Sequence, residues 1–439
     1  MNILIIGSGA REVAIARACK RSSHHPTLFF AMTHRNPDLI DLSHDIFISD
    51  MRDCQLIVKR AVEWKIDLAI IGPETPLEKG LADLCWQNKI PTIGPTQSLA
   101  RIETSKAFAR FLMKKYNILG LPRYQFFETL EGVYDCLRQF SETGFVIKED
   151  GLANGKGVKV SGVHLADVAE GYEHCIDLIE QQKSFLIEEK CVGEEFSLMA
   201  FCDGESLVFM PPVQDYKRAW INDTGPNTGG MGSISASNHL LPFLTEQDLQ
   251  TAKHICHDVI KYLQMECGEK YRGILYGGFM VTAKGISVIE FNARFGDSES
   301  INALALLESD FVEICLGMIN GQLAKTLVHF AKKSTVCKYA VPEGYPEYPI
   351  SKEEIHINVD SYEYIYCASV DRDQNKLMLI GSRAVAVLGM ADTLDQAEKI
   401  AESQIIHIQG PLYHRADIGT QPMIQKRVEN MNKLRAVTA

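Results

Sequence analysis

The chain opens on residues 2–6, an unbroken apolar run that leads into Gly7-Ser8-Gly9-Ala10-Arg11-Glu12, after which alanines and Ile15 fall at helical spacing. Strand, glycine turn and helix in immediate succession form a βα unit. Further apolar runs at 27–31, 68–71 and 92–93 alternate with helical stretches at 53–64 and 81–88. That alternation predicts a parallel, Rossmann-like sheet.

The rhythm stops at Gly94-Pro95-Thr96, and a helix carrying apolar Phe108, Phe111 and Leu112 starts near Ser105-Lys106, which places a boundary near residue 102. From 124 to about 185 the elements shorten. Strand patterns at 145–148 and 158–160 flank a glycine-rich loop, and 165–180 reads as a helix, so this stretch predicts a small α+β lid. Strand patterns at 185–189, 195–201, 206–210, 275–281 and 286–292 predict a larger, mostly antiparallel sheet. After a helix near 311–319, strands at 336–341, 365–370 and 383–388 and a helix from 392 to about 405 predict a small C-terminal α+β domain. The expected organisation is an α/β multidomain protein: 1–102, then 103–325 with a lid at about 122–186, then 326–439.

Composition narrows the classes. With 439 residues there is room for about three domains. Hydrophobic residues at 46% and charged residues at 23% exclude disordered, collagen-like and disulfide-scaffold chains. A net charge of −11 argues against a surface built to collect nucleic-acid backbones. The twelve cysteines form no CxxC pair and have no histidine at metal-ligand spacing, so they read as reduced, mostly buried thiols. No basic segment precedes the first apolar run, and no later run approaches the ~20 residues of a membrane span. A cytoplasmic protein is expected.

Four segments carry candidate chemistry. In the first, Gly7 to Glu12, Val13 stands where a dinucleotide fingerprint has its third glycine, so a dinucleotide site is not expected. The turn still offers backbone N–H groups to an anion, with Arg11 adding charge, and a purely structural turn fits the same residues. The second is Lys148-Glu149-Asp150-Gly151-Leu152-Ala153-Asn154-Gly155-Lys156-Gly157, whose glycines allow close backbone approach to phosphates and whose Lys148 supplies a point charge. By itself it is also compatible with an ordinary hairpin. In the third, strand periodicity puts Glu290, Asn292 and Arg294 on one face, where a carboxylate and an amide oxygen suit a hard cation such as Mg²⁺. A polar sheet face would look the same. The fourth joins Asp215-Tyr216-Lys217-Arg218 to the loop Asp223-Thr224-Gly225-Pro226-Asn227-Thr228-Gly229-Gly230-Met231-Gly232, a mixture of charges and backbone donors that suits a small zwitterion.

Taken in order, G-x-G-x-R-E, I-G-P-E-x-P-L, K-x-D-G-L-A-x-G-K-G-V, D-T-G-P-N-T-G-G-M-G and E-F-N-x-R-F-G-D resemble the phosphoribosylamine–glycine ligase family of ATP-grasp enzymes over nearly the whole chain. The resemblance implies an ATP-grasp core and ligation of glycine to 5-phosphoribosylamine through glycyl phosphate, with ATP and Mg²⁺ (or Mn²⁺) in a monomer that uses neither nucleic acid nor membrane. It implies that Lys106 and Lys148 bind ATP phosphates under a loop containing Gly151, Gly155, Lys156 and Gly157. Glu188, Glu189 and Cys191 would frame adenine and Glu195 would take the ribose hydroxyls. Glu290 and Asn292 would hold the metal. Asp215, Lys217, Asn227, Gly229, Gly230 and Arg294 would hold glycine and its activated form, with Lys148, Arg294 and Asp215 catalytic. Gly9, Arg11, Glu12, Pro73 and Glu74 would lie near the phosphoribosylamine.

Three turns depart from the family pattern, the first two of them on the amine-sugar side. The family's G-N-G-G-R-E-H is here Gly7-Ser8-Gly9-Ala10-Arg11-Glu12-Val13, which loses an imidazole, and its A-P-G-N turn is Ala31-Met32-Thr33-His34-Arg35-Asn36. A G-G-Y-P turn becomes Glu343-Gly344-Tyr345-Pro346. Two alternatives follow: an ATP-grasp ligase with a different amine acceptor, or a non-catalytic nucleotide-binding paralogue.

Overall fold

The computed structural model describes residues 1–153, 157–358 and 363–436. Its first unit is a parallel sheet in the order Asp45–Ile48, Thr27–Met32, Asn2–Ile6, Leu68–Ile71, Thr92–Ile93. Ile3 to Ile6 and Leu68 to Ile71 are buried, as strands covered on both faces must be. Asp45–Ile48 is the one strand here that periodicity missed. It lies at the sheet edge, is half exposed and carries too short an apolar run to stand out.

Strand order reverses between Asn2–Ile6 and Leu68–Ile71, so the turns leaving Ile6 and Ile71 open a crevice at the carboxyl ends of the strands. Glu12 fills the space between those turns. A Cβ on Gly72 would lie 1.9 Å from Glu12 Oε1, and one on Gly7, whose φ is +121°, would lie 2.6 Å from Glu12 Cδ. Only glycine fits at either position.

The second unit is an antiparallel sheet in the order Leu207–Phe209, Gly193–Cys202, Gly273–Thr282, Gly285–Asn292, packed against the long helix Glu246–Cys267. The lid is an antiparallel sheet of Tyr124–Phe127, Phe185–Glu189, Phe145–Glu149 and Val158–Val160, with helices Val133–Gln139 and Val168–Glu180. It has its own core around Phe127, Phe145, Ile147 and Phe185. Lys148 pairs with Val158 across the glycine-rich hairpin. The predicted phosphate residues Gly155 and Lys156 at its tip lie outside the described residues.

The C-terminal unit is richer in strands than its pattern predicts. The expected strand 365–370 is two strands, Ile365–Cys367 and Val370–Asp373, which belong to different sheets. A continuous apolar pattern hides the change of sheet. A final helix, Gln421–Ala436, also escaped notice because only Met423, Ile424 and Met431 along it are buried. The larger sheet runs Gln214–Asp215, Gly232–Ser235, Ser334–Pro342, Val385–Ala391, Ile365–Cys367, so the segment bearing Asp215 is hydrogen-bonded into the C-terminal unit.

Candidate active site

The hairpin base, the second sheet and the carboxyl edge of the first sheet meet in one region dense with paired charges. Lys148, on strand Phe145–Glu149, donates to the Ile289 carbonyl at 2.9 Å and pairs with Glu188 Oε2 at 2.8 Å. Glu188 in turn accepts from Arg110 through both oxygens, at 2.7 and 3.1 Å, while the same guanidinium donates to the carbonyls of Val288 and Ile289. Burial alone would raise the Glu188 carboxyl, but Arg110 and Lys148 bring it down to about 2. The lid is thereby tied to helix Lys106–Lys115 and to strand Gly285–Asn292. Lys106 Nζ donates to Gly151 O at 2.7 Å, and Asp150 accepts from Ser105 Oγ and Ala107 N at the start of the same helix. Lys106 and Lys148 therefore both stand at the base of the glycine-rich hairpin.

Glu290 and Asn292 lie two residues apart at the end of strand Gly285–Asn292. Burial works to raise the Glu290 carboxyl, yet Lys217, Lys148, Lys106 and Arg294 hold it below the usual carboxylate range. An ionised carboxylate beside an amide oxygen is the hard donor set that Mg²⁺ or Mn²⁺ takes, so the residues fit the ion. Arg294 lies beyond the strand's end, two residues after Asn292. Its Nη2 approaches Asn292 Oδ1 at 3.4 Å, which leaves the three predicted residues together although periodicity alone does not carry past Asn292.

Arg294 also joins the units. Its Nη2 pairs with Glu103 Oε1 at 2.9 Å, its Nε lies 3.4 Å from Glu74 Oε2, and its Nη1 donates to Phe295 O at 3.1 Å. Arg11 reaches the same carbonyl at 3.2 Å while its Nε pairs with Glu12 at 2.6 Å. Glu12 accepts from Gly9 N as well, closing the first turn of helix Ala10–Lys20. Pro73 precedes the short helix Glu74–Glu78, which sets Glu74 at its start. The predicted amine-sugar residues and the metal strand thus share one junction. Glu103, buried and accepting from Ala293 N at 2.7 Å, was not foreseen. Burial raises its carboxyl to about 7, with Arg294 opposing and Glu74 assisting.

On the far side, Lys217 pairs with Glu195 at 2.9 Å. Asp215 Oδ1 is buried without a hydrogen-bond partner among the described residues, and burial followed by the nearby Glu299 carboxylate raises Asp215 well above its ordinary value. Gly230, at φ +107°, passes so close that a Cβ would lie 2.6 Å from Asp215 Oδ1. The loop around Gly229 and Gly230 is held by Arg383, which donates to both carbonyls at 2.5 and 3.2 Å and pairs with Asp297 Oδ2 at 2.9 Å. Asn227 accepts from Arg218 at 3.2 Å. Glu189 is engaged by Arg123, and Cys191 lies 3.2 Å from Ser287 Oγ, at the link between lid and second sheet.

Glu103, Arg110, Glu299 and Arg383 are the site residues that sequence reasoning missed. Arg110 sits in an unremarkable helical stretch; Glu299 follows the E-F-N-x-R-F-G-D motif by two residues, Glu103 precedes Lys106 by three and Arg383 stands in a Gly-Ser-Arg turn before a strand, but none has a spacing that marks it.

Family descriptions for phosphoribosylglycinamide synthetase match as its N domain over residues 1–103, its ATP-grasp (A) domain over 104–300 and its C domain over 335–421. The chain belongs to the phosphoribosylglycinamide synthetase family. It is 46% identical to a phosphoribosylamine–glycine ligase of Methanosarcina barkeri over 99% of this chain and 100% of that one. It is 44% identical to one from Methanosarcina acetivorans over 99% and 98%. The crystal structure of a phosphoribosylamine–glycine ligase from Thermotoga maritima superposes with a TM-score of 0.81 at 27% identity, covering 95% of this chain and 100% of the other.

In this member of the synthetase family the two departing turns fold against each other. Ser8 Oγ accepts from Thr33 N at 2.7 Å, and Asn36 Nδ2 donates to Ser8 O at 2.8 Å and to Cys367 O at 2.8 Å. His34 Nε2 donates to Ala368 O at 3.0 Å. The altered residues seal the first sheet onto the C-terminal unit. Val13, in place of an imidazole, is fully buried.

Proposed function

We propose that this chain is an ATP-dependent ligase that joins glycine to 5-phosphoribosylamine through glycyl phosphate, giving glycinamide ribonucleotide, ADP and phosphate. One observation carries the reading: Lys106, Lys148, Lys217 and Arg294 surround the ionised Glu290 at the junction of the units, within a chain matched to this family along its length. A carboxylate is a poor electrophile. Transfer of the ATP γ-phosphoryl to a glycine oxygen breaks the terminal P–O bond and makes that oxygen a leaving group. The amine of phosphoribosylamine then attacks the acyl carbon, phosphate departs and the amine gives up a proton.

Such a transfer needs positioning and charge neutralisation more than covalent help. Lys106 and Lys148 hold the phosphates beneath the hairpin that includes Gly151 and Gly157, with Glu188, Glu189 and Cys191 framing the base and Glu195 the ribose. Glu290 and Asn292 would hold Mg²⁺, which would supply positive charge to offset that of the nucleotide phosphates. Asp215 takes the glycine ammonium: its buried Oδ1 has no donor among the described residues, and the ammonium supplies one. Arg294, Lys217, Asn227 and the Gly229–Gly230 backbone hold the carboxylate and the acyl phosphate. Gly9, Arg11, Glu12, Pro73 and Glu74 receive the amine sugar. Closure of the lid excludes water from an intermediate that hydrolyses readily.

The working parts are 1–102, 103–325 with its lid, and 326–439, acting as a monomer in the cytoplasm without nucleic acid or membrane. All twelve cysteines are free thiols, and among the described residues no helix is long and apolar enough to cross a membrane. Incubation with Mg-ATP and glycine, adding either hydroxylamine or ribose 5-phosphate with ammonia, tests the reading. Glycine hydroxamate in the first mixture and ribonucleotide in the second, each matched by ADP, are expected. Hydroxamate without ribonucleotide would mean another amine acceptor, and no ADP in either would mean a nucleotide-binding paralogue.

A further inference from the structure

The helix Gln421–Ala436 begins where the family's C-domain match ends, and its own residues are not among those assigned above to substrates. It nevertheless grips the back of the two segments that carry them. Arg427 Nη1 donates to Glu194 Oε2 at 2.7 Å, its Nη2 donates to Asp223 Oδ2 at 2.6 Å, and Asn430 Nδ2 donates to Glu194 Oε1 at 2.6 Å. Glu194 precedes Glu195 on strand Gly193–Cys202, so period-two alternation turns these neighbours to opposite faces of the sheet. Glu194 is held by the helix while Glu195 receives Lys217.

The same arrangement repeats at the Asp215 segment. The ring of Tyr216, a fully buried residue that separates Asp215 from Lys217 in the chain, packs against the guanidinium groups of Arg427, 5.1 Å from its centroid, and Arg415, 5.4 Å from it. Arg415 donates to Asp223 Oδ1 at 2.9 Å and to Arg218 O at 3.0 Å, and Asp417 accepts from Asn222 N at 2.8 Å. Asn222 and Asp223 are both left-handed, with φ of 61° and 59°, which side-chain-bearing residues adopt at an energetic cost that surrounding contacts must offset. The turn that launches the glycine loop is therefore set from outside by residues 415 to 430.

We infer that the C-terminal helix positions the amino-acid subsite: Arg427 fixes Tyr216 and Asp223 so that Asp215 and Lys217 stand ready on the opposite face, and with Asn430 it fixes Glu194, so that the ribose residue Glu195 meets Lys217 there. Arg427 is a positioning residue. The inference rests on the assignment of Asp215 and Lys217 to glycine, so the Asp215→Asn variant is measured beside the helix variants. All are made in the full chain, and KM for glycine and for ATP, kcat and melting temperature are read for each.

Arg427→Met is expected to raise glycine KM about tenfold or more, the range seen when a partner of a substrate-holding group is lost, and to raise ATP KM by a clearly smaller factor through Glu195, the residue given to the ribose. Arg427→Lys keeps the charge but cannot fork to both carboxylates, so its glycine KM should fall between wild type and Arg427→Met. Asn430→Ala, which leaves the ion pairs in place, should shift glycine KM in the same direction and keep the fold if Arg427→Met does not. Unchanged glycine KM in both Arg427→Lys and Asn430→Ala, or an equal rise in glycine and ATP KM, overturns the positioning role. Unchanged glycine KM in Asp215→Asn overturns the subsite assignment itself, and the inference with it.

Discussion

Arg11 and Arg294, from different structural units, donate to the same carbonyl, that of Phe295, at 3.2 and 3.1 Å. This shared acceptor couples the turn proposed to receive the amine sugar to the strand end proposed to hold the metal. Arg11→Met should raise the phosphoribosylamine requirement about tenfold or more while leaving hydroxamate formation from glycine and hydroxylamine within about threefold, because the activating half keeps Arg294 and its carboxylate partners. Parallel loss in both assays would show that Arg11 serves the activating half as well.

Lys148→Ala removes a cation from the proposed phosphate site and one of the two partners of buried Glu188. Arg110 still holds that carboxylate through both oxygens. The variant should stay folded by circular dichroism and lose about 10²- to 10³-fold in ADP formation, the scale found when a preorganised charge stabiliser is deleted. A rate near wild type would remove Lys148 from the chemistry.

Glu290→Gln keeps the shape of the side chain but removes the anionic donor. The Mg²⁺ concentration for half-maximal ADP formation should rise about tenfold or more, and chelation with EDTA should abolish turnover in both proteins. An unshifted Mg²⁺ titration would place the ion elsewhere.

Glu103 provides a pH signature. Its carboxyl is at about 7 in the folded protein against an ordinary 4.5, so the folded state binds this proton more tightly than the unfolded chain. Its stabilising effect is complete below about pH 4.5 and is lost as pH rises through about 7. In urea titrations the stability of wild type relative to Glu103→Gln should fall by roughly 3 kcal/mol across that window and stay level above it. A difference independent of pH would show that Glu103 is ionised throughout.

Asp215→Asn trades function for stability. Burial and Glu299 disfavour the Asp215 carboxylate, so an amide there should leave the melting temperature unchanged or raise it, while glycine KM rises about tenfold or more for want of a charge to meet the ammonium. A fall in stability with unaltered glycine KM would make Asp215 structural.

Much of this was legible before any coordinates. Apolar runs with period-two and helical spacing gave the parallel sheet, the hairpin between 145–149 and 158–160 and the antiparallel strands, since each depends on residues close in the chain. The glycine turns, the Lys148 hairpin and the Glu290–Asn292 spacing are local as well, so the residue types announce themselves. Family likeness then gave roles to residues such as Glu195, Asp215 and Glu74 that no spacing could have distinguished.

What the amino-acid order determined by itself was therefore the elements and the short motifs they carry. Tertiary structure alone decided the partners: Arg110 with Glu188 across 78 positions, Arg383 with Asp297 across 86, and Arg427 with Glu194 across 233. A charged side chain enters the interior only when an opposite charge or a carbonyl meets it there. Which group meets it depends on where sheets and helices bring distant parts of the chain together, and no local pattern encodes that.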